Sequence, residues 1–325
     1  MNYSRVFRLR PSRPAPHSRP HPQAGLRRAL APAAALVLLT AGALLAAGPA
    51  QAASTTILGP ESTTGIAGWT NTTHYLEGTL SAGEGVTTVD PVGGSESELY
   101  RGSGSIPLAM DIAGWTHIGD PDSIDGYVFD DYQNSSSSAS TKLYTVTTPS
   151  GSVYQYTHTL VSGELYNNSW VAVSPDTQWM LSGEWGTMSH LQIYPTPLLN
   201  PETSATGGAL NLAGYINLDH QVNDIQGCDF VTSTELVCSS DDSTETLFSN
   251  AKPLLEIQLS AALSGTDVTG HVIDLGSIPQ ANSICSGTFE AEGVDYDVAT
   301  GVLRVEIIQP SVCEIETTIY EYTQS

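Results

Sequence analysis

The stretch Trp170-Val171-Ala172-Val173-Ser174-Pro175-Asp176-Thr177-Gln178-Trp179-Met180-Leu181 decides the fold. Two short runs of strand-forming residues flank a connection with turn chemistry: Pro175 presets φ for a type I turn, and Asp176 can bond its own backbone. The segment reads as an antiparallel hairpin of the kind found in the middle of a propeller blade. In most such hairpins a glycine follows the aspartate; here Thr177 takes that place.

Outward from this hairpin the same texture continues. Gly126 to Tyr132, Lys142 to Thr147, Val153 to Leu160, Leu191 to Tyr194, Leu254 to Leu259 and Val302 to Ile308 are short Val-, Ile-, Thr- and Tyr-rich runs bounded by Gly, Pro, Asp and Ser, which is the pattern of strands. Asn250 to Ser264 invites a helical reading, but Lys252-Pro253 followed by Leu254, Ile257 and Leu259 fits a strand as well. Hairpins recur from Gly227 to Ser240, turning at Thr232 to Thr234, and from Gly293 to Val305, turning near Ala299-Thr300-Gly301. The repeated cores begin near residues 127, 171, 228 and 293, and propeller blades take about 40 to 50 residues each plus loops. The expectation is an all-β fold, a β-propeller of five to seven blades, forming one domain over residues 53–325.

The four cysteines test the hairpins. Cys228 and Cys238 are symmetric about residue 233, and Cys285 and Cys313 about residue 299, both within proposed turns. Each bridge would then tie its own hairpin, with Gly287 and Gly293 absorbing bulges in the longer one. Pairing of Cys228 with Cys285 or Cys313 stays open on counting alone. The spacings, without clustered histidines, argue against zinc.

The first 52 residues carry seven arginines and no acidic residue, then an apolar run from Ala29 to Ala47 and the small-residue pattern Ala50-Gln51-Ala52. This is the form of a signal peptide cleaved after Ala52, and it predicts an extracellular protein, with the export route open. Of the 11 basic residues in the chain, only Arg101, Lys142, Lys252 and Arg304 follow residue 52, against all 34 acids. The mature net charge of 4 − 34 = −30 makes nucleic acid and anionic membrane poor partners. The same scarcity of cations argues against phosphate substrates.

Between Trp115 and Phe129 a histidine and three carboxylates precede a strand. Asp120, Asp122 and Asp125 supply closely spaced oxygens of the kind Ca²⁺ takes, with Asp131 near the position of a last ligand. No other cofactor is implied; Asx-type turn stabilisation is the structural reading of the same residues. Three phrases occur in order: His117-Ile118-Gly119-Asp120 before a Gly-led strand, Ser174-Pro175-Asp176 after Ala172-Val173, and Ile225-Gln226-Gly227 before Phe230. Together they resemble a loose class of exported bacterial β-propellers of largely unassigned function, in which related phrases begin blades and line the central opening.

In a propeller, residues that open the strands converge on the channel mouth. The candidates there are His117, His158, Glu184 and His190 for acid–base chemistry and Trp185, Gln226 and Asp229 for ligand contact. Two functions follow. One is binding of a small-molecule or carbohydrate ligand at the mouth; the other is hydrolysis by a lactonase, esterase or glycan-acting enzyme, with or without calcium. Serine-hydrolase, zinc-protease and phosphate-loop motifs are absent from the sequence. The sequence leaves the oligomeric state open.

Overall fold

The computed structural model describes residues 65–90, 96–278, 285 and 287–325; the expected leader, residues 1–52, lies outside them. In chain order the strands are β1 (Trp69–Gly78), β2 (Gly85–Val89), β3 (Ser97–Arg101), β4 (Trp115–Ile118), β5 (Asp122–Ile124), β6 (Tyr127–Asn134), β7 (Thr141–Thr147) and β8 (Val153–Thr159). They continue with β9 (Trp170–Val173), β10 (Trp179–Gly183), β11 (Met188–Pro195), β12 (Gly208–Ala209), β13 (Gly214–Val222), β14 (Ile225–Thr232), β15 (Glu235–Ser240) and β16 (Pro253–Leu259). The last four are β17 (Val268–Ser277), β18 (Glu290–Asp297), β19 (Val302–Ile308) and β20 (Glu316–Gln324). Two short helices, α1 (Thr79–Ala82) and α2 (Leu108–Ile112), lie in connections.

Five inner strands, β2, β5, β9, β14 and β18, touch one another in that order, and β18 returns to β2, closing a ring. Each begins an antiparallel blade, so the chain is a five-bladed β-propeller. Blade 1 is the pair β2-β3, and blade 2 is β5-β6-β7-β8, with β4 on the far end of β6 and β12 on the edge. Blade 3 is β9-β10-β11-β13 and blade 4 is β14-β15-β16-β17; their outer strands pair in parallel, joining the two into one eight-stranded sheet. Blade 5 is β18-β19-β20, completed by β1 from the other end of the described chain. That last pairing fastens the ring, because it makes opening of blade 5 depend on both chain ends.

The core lies between blades, which explains why inner strands are apolar on successive residues. Val171 and Val173 face blade 2, against Phe129, Tyr144 and Val146. Their neighbours Trp170 and Ala172 face blade 4, against Cys228, Phe230 and Leu236. A strand with period 2 and a core on each side has no solvent face, and all four residues of β9 are buried. Blade 1 is held differently. Arg101 pairs with Asp130 of blade 2 at 2.5 Å, and Arg304 of blade 5 bonds the Thr88 hydroxyl at 2.7 Å and Glu98 at 3.2 Å.

The hairpin at 170–181 forms as expected, but as the innermost pair of its blade rather than a middle pair. Thr177 sits at φ 65°, the left-handed region that a β-branched residue strongly disfavours. It is held there because Asp176 Oδ1 accepts the Ser174 hydroxyl at 2.6 Å and the Gln178 amide at 3.0 Å. The strand at 126–132 is the second of blade 2, not a blade opener; the three-residue β5 ahead of it is too short to show a periodic pattern. The helical reading of 250–264 is replaced by β16, which pairs on both edges.

Both bridges are Cys228–Cys238 and Cys285–Cys313. The first joins directly opposite residues of β14 and β15. The second spans the open end of the β18–β19 hairpin, whose register shifts between Ala291 and Val294, with Gly293 in the bulge.

Candidate functional site

Every inner strand starts at one face of the propeller, here the upper face, and ends at the lower face. On the axis between them stands Asp120, fully buried. Its two carboxylate oxygens accept the backbone amides of Val86 and Val294, each at 3.0 Å, and its backbone bonds blade 3 through Ser169 and Val171. Three glycines make room for it. A Cβ at Gly227 or Gly293 would stand 2.3 Å from a carboxylate oxygen of Asp120, and one at Gly85 would stand 2.4 Å away. Asp120 therefore plugs the channel and ties blades 1, 2, 3 and 5 at one point. Burial raises its carboxyl well above the usual range.

Below the plug, at the lower face, is a cavity of about 300 Å³. Its wall includes Asp90, Glu96, Asp122, Asp125, Asp229, Asp295 and Asp297, together with Phe230 and Tyr296, and no lysine, arginine or histidine. The floor carboxylates also bridge neighbouring inner strands, which have no backbone ladder between them. Asp122 accepts the amide of Val173 at 2.5 Å, Asp229 that of Tyr296 at 2.6 Å, and Asp295 that of Thr88 at 2.8 Å. Burial pushes Asp122 up to about 7, helped by Asp295. Burial, then Asp122 and Asp295, push Asp229 well above its ordinary value. Asp295 is raised by burial less far, because Arg304 bonds it at 2.8 Å.

Above the plug the carboxylates are held within their own blades. Asp131 and Glu306 are fully buried; the Gly293 amide bonds Glu306, and Asp131 is met by its own amide and by the charge of Lys142. Glu306 lies opposite the Glu292-Gly293 bulge. Burial raises Asp131, Glu292 and Glu306, and each is raised further by the charge of Glu84. Glu84 itself is pushed up to about 8 by burial and by Glu290. The Nε2 of His117 stands 3.7 Å from Glu84, and burial lowers the imidazole, which disfavours its charged form.

The structure disperses the other residues singled out in the sequence. Glu184 bonds Lys142 at 2.5 Å, both side chains buried in the seam between blades 2 and 3, and also accepts the Leu165 amide at 2.8 Å. His158 is buried on Glu164 at 2.9 Å and the Leu210 carbonyl at 3.1 Å. His190 packs its ring edge-on against Tyr215. Trp185 is on the upper face, its indole N–H donating to Gln133, and Gln226 is half-buried just above the plug. Asp122, Asp125 and Asp229 share the lower cavity, whereas Asp120 does not reach it. The proposed calcium loop does not fit the ion: the oxygens of Asp120 and Asp122 are taken by backbone amides, and Asp125 forms a turn at φ 52°. Among the described residues no three His, Cys, Asp or Glu side chains are placed to hold a metal ion.

Glu84, Glu292, Glu306 and Asp295 went unnoticed in the sequence. A signal for the first two exists: Glu84-Gly85, Gln226-Gly227 and Glu292-Gly293 place a polar residue and then a glycine at the start of three inner strands.

No protein-family model matches the chain, and no curated protein matches it. Similar solved structures include a luciferin-regenerating enzyme, 11% identical over 70% of this chain and 66% of that one, with a TM-score of 0.39. A gluconolactonase of Xanthomonas campestris is 11% identical over 63% of this chain and 57% of its own, TM-score 0.32. A glycosyl hydrolase of Bacteroides ovatus is 11% identical over 64% and 65%, TM-score 0.36. The chain spans less than two thirds of the length of each. Its class is set by its own architecture, a five-bladed propeller with an aspartate-plugged channel and an acidic cavity below the plug.

Proposed function

We propose that the protein is an extracellular binding propeller whose lower cavity takes a small, polar, positively charged ligand such as an amino sugar or another amine. The observation that carries this reading is the cavity wall: seven carboxylates, two aromatic side chains and no basic residue. The rim acids Asp90, Glu96 and Asp125 are exposed and free to meet a ligand, whereas Asp122, Asp229 and Asp295 below them are held rigid by backbone amides. Such a preformed acidic concavity favours ammonium groups and repels anions. Two disulfides support a place outside the reducing cytoplasm. Calorimetric titration with glucosamine, glucose and glucuronate tests the reading. Glucosamine should bind at least about tenfold tighter than glucose, a gap worth about 1.4 kcal/mol, and Glu96→Gln with Asp125→Asn should erase the preference. Equal binding of glucuronate would overturn it.

Hydrolysis is a second reading, favoured by Asp122 and Asp229, two cavity carboxylates that burial raises, with the charge of Asp122 adding to the rise at Asp229. A group that changes charge near pH 7 can exchange a proton with a substrate. If turnover of a lactone, ester or glycoside is found, Asp122→Asn should lower kcat by about 10²-fold or more; an unchanged rate would remove the pair from the chemistry.

A further inference from the structure

Blade 1 stops after two strands, whereas blades 2 to 5 each reach four. The consequence is a notch in the rim. Arg101 at the end of β3 meets Asp130 of β6 at 2.5 Å, which sets β3 level with the second strand of blade 2. Farther out, a cavity of about 350 Å³ lies against the face of blade 2 that looks toward blade 1. Its wall is Thr145 and Thr147 of β7 with Val153 and Gln155 of β8, the third and fourth strands of blade 2, and its roof comes from the segment between Ser105 and Met110. The void therefore stands where a third and a fourth strand of blade 1 would lie.

A second observation is the edge that bounds this void. Among the described residues β3 pairs only with β2, so the backbone groups on its outer side meet no strand. In blades 2, 3 and 4 the outer strands are covered: β8 is joined by β12, and β13 and β17 pair with each other. An open edge of five residues is a template for pairing. The polar side chains of the notch are engaged already. Asp130 accepts both Arg101 and the Thr145 hydroxyl, and the Gln155 amide points at the Met110 sulfur at 3.4 Å. What the notch offers is open main chain on one side and apolar or hydroxyl side chains on the other. Val153 at one lip is 59% exposed, and α2 at the opposite lip carries Leu108 at 72%. A small ligand needs convergent polar side chains; an extended peptide needs a strand edge and a wall for alternate side chains.

We propose that β3 accepts an extended segment of a partner protein as the missing third strand of blade 1, and that this segment alternates apolar with basic side chains. The alternation follows from the two walls. Residues of an added strand point by turns to blade 2 and to blade 5. Toward blade 2 they meet Thr147 and Val153. Toward blade 5, β3 presents Glu98 and Tyr100: Tyr100 bonds the Tyr75 hydroxyl of β1 at 3.1 Å, and Glu98 adds its charge to the effect of burial in raising Glu77. Arg304 bonds Glu98 at 3.2 Å but is shared with Asp295 and Glu321, so negative charge is left on this side for a lysine or arginine of the incoming strand. A second copy of this chain is a poor occupant. After residue 52 it has 34 acids against four basic residues, and pairing β3 with itself would set like-charged edges together.

Amide hydrogen exchange of the mature protein with a synthetic heptapeptide of alternating valine and lysine tests this, at about 0.15 M salt to screen unspecific attraction. The β3 amides that β2 does not bind should exchange fast in the free protein. At about 1 mM peptide they should slow about tenfold, which corresponds to a Kd of about 0.1 mM. Methylating the backbone nitrogens of the peptide keeps its charge and apolar surface but removes its ladder donors, and should abolish the protection. Val153→Asp and Gln155→Trp should do the same, the second by filling the notch, whereas Val161→Asp beyond the end of β8 should not. Val153 and Gln155 are exposed, so both variants should fold, which circular dichroism verifies. Glu77→Gln should lower the preference for lysine over glutamine in the peptide at least about threefold. The proposal is overturned by slow exchange of the outer β3 amides in the free monomer, which would show the edge already paired, or by a sedimenting dimer that protects them. Equal protection by the methylated peptide, or no protection of β3 by the unmethylated one, would overturn it as well.

Discussion

The carboxylates above and below Asp120 are chemically alike and similarly buried, yet their partners differ. Below, Asp122, Asp229 and Asp295 each accept a backbone amide from the adjacent inner strand. These bonds do the work that a ladder does inside a blade, since inner strands of neighbouring blades are not paired with each other. Above, the amides that meet Glu306 and Asp131 come from their own blades. Burial therefore does not say what an acid is for; the strand that supplies its amide does. The lower set ties neighbouring blades and shapes a cavity, and the upper set joins no two blades and is kept protonated by burial.

The comparison breaks most sharply at the plug itself. Asp120→Ala would leave the buried amides of Val86 and Val294 without acceptors, and each such loss costs about 1–3 kcal/mol. Urea unfolding should show a loss of about 3–5 kcal/mol, with Asp120→Asn losing clearly less because one oxygen remains. A result within about 0.5 kcal/mol of the parent, the range of an ordinary surface change, would deny the plug its structural role.

Nearly as large is the expected effect of breaking the seam between blades 2 and 3. Glu184→Gln leaves Lys142 buried without its charge partner, which typically costs about 3–5 kcal/mol. Stability should drop while ligand binding by the surviving folded protein is unchanged; a selective loss of binding would instead give Glu184 a functional role.

The upper set should respond in the opposite sense. Glu84, Glu292, Glu306 and Asp131 are all raised above their unfolded values. The folded state therefore holds protons that the unfolded state releases above pH 4 to 5, and stability falls as pH rises through the folded values. For Glu84 that window runs from about 4.5 to about 8. Melting temperature should accordingly decline between pH 5 and pH 8, and Glu306→Gln should flatten the decline and stabilise the protein at pH 8 by about 1–2 kcal/mol. A flat profile in the parent would mean that these groups find counter-charge in solution.

The smallest effect is at the rim of the lower face. Thr177 at φ 65° carries the cost of a left-handed residue, about 1–2 kcal/mol. Thr177→Gly should return about 1 kcal/mol, less than the full amount because glycine loses more freedom on folding. For a domain of this size that is a rise of about 2–4 °C in Tm, and no rise would place the strain elsewhere.

Much of the fold was legible in the residues. Trp170 to Leu181 showed a hairpin because turn chemistry at Pro175 and Asp176 is local, and Cys228 and Cys238 announced their pairing because strands facing across a short turn are symmetric in sequence. Blade 1 was not legible. The segment before Tyr100 contributes β1 to blade 5 and only the two strands β2 and β3 to its own blade, and ion pairs rather than an apolar pattern hold that blade in place. The three-residue β5 was likewise too short to carry a period.

The site was legible only in part. Asp120, Asp122 and Asp125 read as one loop because they are neighbours in sequence, and a Ca²⁺ shell was the chemistry such a loop suggests. Three-dimensional closure parts them: Asp120 enters the axis through a gap left by Gly85, Gly227 and Gly293, while Asp122 and Asp125 pass below it with Asp229 and Asp295. By itself the sequence determined strand, turn, bridge and overall charge, since each depends on residues close in the chain or on composition. Which carboxylates meet an amide of another blade and which mouth holds a cavity were decided by ring closure, because those contacts join strands from separate blades whose order around the axis no local pattern encodes.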